Sequence, residues 1–302
     1  MLSFYSHGKL LITAEYLVLD SALALAVPTK LGQSLTIAPI NHPKLIWISV
    51  LHDGSLWFDT EISLPLKHSL KSKDPVIKKL YEILIAAQSL NPDFLQATQG
   101  YKAVSTLEFP RDWGLGSSST LIANIAQWAM INPYELLEKT FGGSGYDIAC
   151  ATANTPLTYI RQTTVPIVNP IVFNPTFKEH LFFIHLNRKQ NSRESISHYR
   201  NLDTSERETH IKAFTILTKE IIASQNSLSI FEDLILQHES LLSKIIQTPT
   251  IKKQLFPNYP NAIKSLGGWG GDFVLAIGSR EEMKYFVEKG YHTMIPYSEM
   301  VL

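Results

Sequence analysis

Apolar and polar residues alternate with a period of two in several short stretches of the first third of the chain. KLLIT, SLTIAPI, LIWISVL and SLWFDTEI are β-branched or alternating and bounded by turn residues. This pattern predicts the strands of an antiparallel sheet with one buried face. The period changes at Asp74-Pro75. There PVIKKLYEILIAAQSL has apolar residues at helical spacing, behind an Asp that can cap the helix and a Pro suited to its first turn. YKAVSTLEF reads as another strand and leads through DWGLGSSSTL into the helical run LIANIAQWAM. Asn132-Pro133 opens a helix over YELLEKTF, which stops at Gly142-Gly143.

Three prolines in TVPIVNPIVFNP, residues 164–175, predict a domain boundary there. The expected domains are 1–170 and 171–302. Beyond the boundary, HLFFIHL reads as a strand, followed by two amphipathic helices over about residues 205–225 and 228–247. GGDFVLAIG is a strand, SREEMKYFVEKG a helix closed by Gly290, and YHTMIP a last strand. Strands and helices segregate within each half, which predicts α+β domains.

The bulk numbers narrow the classes of function. A length of 302 residues exceeds what one core usually holds, and 45% hydrophobic with 18% charged residues describes a globular chain. Lys and Arg total 27, as do Asp and Glu, so no global field favours nucleic acid or an anionic membrane, and any anion site is local. Cys150 is the only cysteine, which excludes an intramolecular disulfide and argues against a cysteine-based zinc site. The start MLSFYSHGKL lacks the pattern of a signal peptide, and Asp20 breaks the apolar run EYLVLDSALALAVP. The expectation is a cytoplasmic protein, monomer or homodimer, that takes a small-molecule substrate without nucleic-acid or membrane partners.

The chemistry concentrates in DWGLGSSSTL, residues 112–121. Gly114 and Gly116 permit positive φ, and four hydroxyl residues follow immediately before a helix. A helix start presents unpaired N–H groups to an anion, and hydroxyls can ligate Mg²⁺. The same residues suit an ordinary turn with a Ser cap. The stretch is not a P-loop, because no Gly-Lys-Ser/Thr follows at the required spacing.

Three other stretches accompany it: SHGKLLITAEYLVLD (6–20), GGSGYDIAC (142–150) and KSLGGWGGDF (264–273). In this order, and over nearly the whole chain, the four resemble the GHMP kinases, the superfamily that includes galactokinase, homoserine kinase, mevalonate kinase and phosphomevalonate kinase. The resemblance implies an α+β, two-domain GHMP kinase fold, with a ribosomal-protein-like N-terminal ATP-binding domain and a ferredoxin-like C-terminal domain. It implies ATP and Mg²⁺ as cofactors. Residues Gly114, Leu115, Gly116, Ser117, Ser118 and Ser119 match the family's phosphate-binding loop, with Ser119 where alanine is usual. Ser118 would reach the metal together with a Glu from the next helix, Glu135 in preference to Glu138. Asp147 matches the catalytic base, or the charge that orients the acceptor hydroxyl, and Lys9 the lysine that approaches the reacting hydroxyl. Glu15, Tyr16, Ser144, Gly145, Gly267 and Gly268 fall on substrate-side motif positions. LNRKQNSRESIS (186–197) is similar to a substrate-proximal loop of mevalonate kinases, with Lys189, Asn191, Ser192 and Arg193 as the matching residues.

Two departures stand out. His7 replaces a proline in the first stretch, and Trp269 replaces a glycine in the fourth. The implied activity is an ATP-dependent kinase of the mevalonate pathway, acting on mevalonate or phosphomevalonate in isoprenoid biosynthesis. EYLVLD leans to phosphomevalonate kinase and the 186–193 loop to mevalonate kinase. Another sugar or amino-acid alcohol as acceptor, or a non-catalytic binding protein with the same fold, remain as alternatives.

Overall fold

The computed structural model describes the chain except residues 68–71, 97–98, 164, 190–191 and 202–204 and the side chains of 192–195. It forms two compact units. One comprises residues 1–8, 31–111 and 115–152, the other residues 9–30, 112–114 and 153–302. The chain therefore passes from one unit to the other at several points, the last at 152/153. The described part of TVPIVNPIVFNP, residues 165–175, lies in the second unit, as does the strand before it, Leu157–Ile160, which pairs with residues 24–26 of that unit.

In chain order the elements up to residue 152 are β1 (Leu2–Leu11), β2 (Ala24–Ile40), β3 (Lys44–Val50), β4 (Leu56–Ser63), α1 (Pro75–Leu90), β5 (Gly100–Leu107), α2 (Ser117–Ala129), α3 (Pro133–Thr140) and α4 (Tyr146–Ala151). The apolar run after Asp20 becomes the first part of β2. In the first unit the sheet order is β4-β3-β5-β2. β3 pairs antiparallel with β4 but parallel with β5, a departure from the all-antiparallel expectation. The cause is the chain path: β4 returns the chain to the edge at which β3 began, and β5, entered from that same edge after α1, therefore runs in the same direction as β3. Alternation holds along the strands. Leu45 and Trp47 of β3, Ala103 of β5, and Leu35 and Ile37 of β2 share a core with Leu80 and Leu84 of α1 and Ile122 and Ile125 of α2.

Caps fix where the helices begin. The Asp74 carboxylate accepts from the amide of Val76 at 2.7 Å, and Asn132 accepts from that of Tyr134 at 2.9 Å. α2 differs, since its N-cap Gly116 is left-handed (φ 90°) and no side chain caps the helix. Buried hydrogen bonds hold α2 in place instead. Asn124 accepts from Ser6 Oγ at 2.9 Å and donates to the Gln33 carbonyl at 2.8 Å. Thr120 Oγ1 donates to Gln33 Oε1 at 2.6 Å, and Gln33 Nε2 donates to Ser105 Oγ at 2.7 Å. A side-chain ladder of this kind fixes the rotation of α2 about its axis, and so the direction in which each hydroxyl of its first turn points.

The second unit continues with β6 (Leu157–Ile160), β7 (Ile167–Pro170), β8 (Leu181–His185), α5 (Ser192–Arg200), α6 (Arg207–Ala223), α7 (Leu228–Ile245), α8 (Ile251–Leu255), β9 (Ile263–Ser265), β10 (Phe273–Ile277), α9 (Lys284–Glu288), β11 (Met294–Pro296) and α10 (Tyr297–Met300). β6 pairs with residues 24–26 of β2 on one side and with β7 on the other. A second sheet has the order β11-β8-β10-β9, antiparallel throughout. Phe182, Ile184, Val274 and Ala276 of this sheet pack with Phe256, Tyr259 and Phe286. The helix expected over SREEMKYFVEKG shortens to α9, because Glu282 Oε2 accepts from the amide and hydroxyl of Ser279 and holds 279–282 as a turn. Among the described residues no helix is long and apolar enough to cross a membrane.

Asn124 has no solvent exposure and satisfies groups on two strands. Asn124→Ala is expected to destabilise the protein by about 1–3 kcal/mol, the cost of leaving buried partners unsatisfied. Denaturant unfolding measures this, and an unchanged midpoint would show that the ladder does not hold α2.

Candidate functional site

In the first unit, Ser117 and Ser118 open α2 at the rim of a cavity of about 260 Å³. Its walls are mainly apolar: Val50, Trp57, Phe58, Leu80, Ile83 and Phe141, with Gln33, Ser49, Ser105 and Lys79 among them. The Arg111 guanidinium lies 3.7 Å from the centre of the Trp57 ring, a cation–π contact at the cavity edge. An apolar slot beside an uncapped helix N-terminus suits a flat aromatic group carrying an anionic tail. Leu115 is buried and anchors the loop.

α4 begins at Gly145, which is left-handed (φ 87°), and Asp147 stands in its first turn. Ser119 Oγ donates to Asp147 Oδ2. Burial, and then the charges of Cys150 and Asp147, push the Tyr134 hydroxyl up to about 12. Glu135 and Glu138 are both exposed on α3, Glu135 in its first turn. Ser144 is half-buried and Gly145 buried.

In the second unit, Lys9 Nζ donates to the Gly114 carbonyl at 2.8 Å. Gly114 has φ 65°, and a Cβ there would lie 2.4 Å from the Asp272 carboxylate, so a larger residue would be strained and would have to displace that side chain. Trp113 packs edge-on against Phe273, with ring centres 5.4 Å apart. The loop through Gly267 (φ 62°), Trp269 (φ 49°), Gly270 (φ 118°) and Asp272 (φ 54°) is left-handed at four positions. Gly268 is buried, and Trp269 is only 5% exposed with its indole N–H unpartnered among the described residues. The tryptophan that departs from the family pattern is thus folded inward.

Glu15 is also buried. It accepts a hydrogen bond from Lys264, which has no solvent exposure and lies 3.2 Å from Glu239 Oε1. Glu239 Oε2 accepts from the amide and hydroxyl of Ser265. His238 Nε2 accepts from the Ala14 amide at 3.0 Å and lies 3.4 Å from Glu15 Oε2, which has no hydrogen-bond partner among the described residues. Burial, and then the Lys264 charge, push His238 well below the ordinary histidine range. The imidazole is therefore neutral, and its contact with Glu15 is not an ion pair. Burial outweighs the attraction of Lys264 and raises Glu15 to about 7, and burial raises Glu239 as well. Tyr16 stacks on Tyr199 at 5.4 Å, and Tyr199 donates to Asp20.

Of the remaining residues matched to the family, Lys189 is exposed. Asn191 lies outside the described residues, as do the side chains of Ser192 and Arg193. The first unit thus brings together Ser119 and Asp147, and places Ser117 and Ser118 on the cavity. The second brings together Lys9, Gly114 and the 267–272 loop, and separately Glu15 with Lys264. Sequence reasoning missed Trp57 and Arg111, and the roles of His238, Glu239 and Lys264. Only Lys264 carried a signal, as the first residue of its motif. His238 and Glu239 read as ordinary positions of an amphipathic helix.

No protein-family model and no curated protein sequence matches the chain. Solved structures do. A mevalonate kinase aligns over 98% of both chains, with a TM-score of 0.71 and 17% identity. Lactococcus lactis galactokinase, complexed with galactose, aligns over 99% of this chain and 93% of its own, with a TM-score of 0.73 and 12% identity. Streptococcus pneumoniae phosphomevalonate kinase, in complex with phosphomevalonate and AMPPNP, aligns over 98% and 100%, with a TM-score of 0.71 and 15% identity. The chain has the fold these kinases share, the GHMP kinase fold expected from its motifs.

The buried cluster generates a pH prediction. Lys264 from β9 and His238 and Glu239 from α7 face Glu15. Glu15 rises from 4.5 to about 7 on folding, so its favourable contribution is complete below about pH 4.5 and is lost as pH climbs through 7. A shift of this size corresponds to at most about 3 kcal/mol. Between pH 5 and pH 8 the melting temperature of the wild type should therefore fall relative to that of Glu15→Gln. Parallel curves would mean that Glu15 is ionised throughout.

Proposed function

We propose that this chain is an ATP-dependent phosphotransferase of the GHMP kinase superfamily that phosphorylates a small-molecule alcohol, with mevalonate or phosphomevalonate as the leading acceptors. The observation that carries the reading is the start of α2. Its N-terminus has no side-chain cap, and Ser117 and Ser118 stand at the rim of an apolar cavity. This is the stretch that resembles the family's phosphate loop. In this reading the cavity takes the base, and the loop amides and the helix dipole take the phosphates.

Among the described residues no three His, Cys, Asp or Glu side chains gather into a metal site. That fits Mg²⁺, which keeps waters and shares substrate phosphates with one or two protein oxygens. Ser118 and Glu135, both exposed, would supply those oxygens. Bound there, the ion would neutralise charge on the β- and γ-phosphates. The chain's own residues do the rest. Lys9 offers a positive charge to the transferring phosphoryl group. Asp147 orients the acceptor hydroxyl and receives its proton as the acceptor oxygen bonds to the γ-phosphorus and ADP departs. Phosphoryl transfer depends chiefly on such positioning and charge stabilisation.

The deciding assay is ADP release with mevalonate, phosphomevalonate, and a panel of sugars and amino-acid alcohols side by side. Nucleotide binding without turnover of any acceptor would leave the binding-protein alternative. Asp147→Asn should cut turnover by about 10²–10⁴-fold with nucleotide affinity nearly unchanged. Turnover within a few-fold of wild type would make this carboxylate structural. Trp57→Ala should weaken nucleotide binding in a titration with AMPPNP. Unchanged affinity would remove the cavity from the nucleotide site.

A further inference from the structure

Four hydroxyl residues run consecutively through the first turn of α2, and the structure sends them in different directions. Ser117 and Ser118 line the cavity. Thr120 turns back into the core, to Gln33 Oε1 and to the Ser117 carbonyl. Ser119 is buried, and its hydroxyl crosses to α4 to meet Asp147. The divergence follows from helix geometry, in which successive side chains rotate by about 100°. The amides of Ser119 and Thr120 both bond to the Gly116 carbonyl, so the turn is closed by backbone and the Ser119 hydroxyl has no capping duty.

We propose that Ser119 is a positioning residue for Asp147, one that holds the carboxylate in the orientation from which it meets the acceptor hydroxyl. The inference rests on the assignment of Asp147 to the acceptor and goes beyond it by naming what sets that carboxylate. Asp147 stands in a half-buried first turn after a left-handed glycine, where a short side chain has several rotamers available. The hydrogen bond from Ser119 engages Oδ2 and so selects among them, leaving Oδ1 for other partners. During transfer the acceptor proton passes to Asp147, while Ser119 keeps its own proton and takes no part in bond making. Alanine is usual at this position in the family the motif resembles, so the hydroxyl is a feature of this chain. The serine pair 118–119 thereby links the cavity side of the helix to the carboxylate through adjacent residues of one rigid turn.

The test uses the full-length protein and two readouts. One is ATP turnover, with the acceptor identified by the panel or with water as the default acceptor. The other is AMPPNP affinity. Ser119→Ala should lower kcat by about three- to tenfold, the rate equivalent of one hydrogen bond. AMPPNP affinity should stay unchanged, and Ser119→Thr, which restores a hydroxyl, should recover most of the rate. In the Asp147→Asn background, Ser119→Ala should cost little more, because the two residues act as one unit. Wild-type kcat in Ser119→Ala, with Asp147→Asn inactive, overturns this inference alone. Loss of AMPPNP affinity in Ser119→Ala also overturns it, by making the hydroxyl a nucleotide contact. A rate loss that Thr does not recover, accompanied by a lower melting temperature, overturns it in favour of a packing role. Absence of turnover in the wild type, even with water, removes the kinase reading and this inference with it.

Discussion

A lysine with no solvent exposure sits at the root of the glycine-rich loop, and much of the second unit is arranged around it. An isolated ammonium loses several kcal/mol of hydration on burial, so Lys264 needs partners there. Glu15 and Glu239 surround it, and its own neighbour Ser265 accepts through the carbonyl. Pairs of this kind add little net stability compared with an apolar core, but they are specific. Each partner has one place to be, and removing any one strands the others.

That specificity has a visible use. The turn that carries Glu15 is left-handed at Ala14 (φ 64°) and Tyr16 (φ 65°), which costs each residue on the order of 1 kcal/mol or more. It persists because Glu15 is drawn to Lys264 and the Ala14 amide donates to His238. The same lysine roots the loop that ends at Asp272, and Asp272 lies where any side chain on Gly114 would have to go. Two of the sequence stretches that resemble the family's motifs are therefore fastened to each other by the buried contact between Lys264 and Glu15, and to α7 by a histidine kept neutral by its surroundings.

The first unit solves the corresponding problem with neutral groups. Gln33, Ser105, Thr120, Asn124 and Ser6 form a ladder that is largely buried and internally satisfied, so its desolvation is offset by hydrogen bonds. Its effect is to set one helix at one rotation. That rotation sends Ser117 and Ser118 toward the cavity, Ser119 toward Asp147, and Thr120 into the core.

The sequence by itself determined the element types, because hydrophobic period and capping residues act locally. Asp74 and Asn132 cap α1 and α3 where the text of the chain places them, and β3 and α7 follow their apolar patterns. It also marked the fold and the motif residues, since the glycines are demanded by local backbone conformation at Gly114, Gly116 and Gly145. What it could not contain were relations between distant residues. The parallel pairing of β3 with β5, the placement of Trp57 and Arg111 at the cavity, and the meeting of Glu15 with Lys264 span tens to hundreds of positions. None has a periodic signature. His238 is the clearest case: in sequence it is one more residue of an amphipathic helix, and only the packing of α7 against residues 14 and 15 makes it a neutral acceptor for a strained turn. Tertiary structure decided the partners because burial and charge compensation depend on what the folded chain brings close, and neighbours in sequence do not specify that.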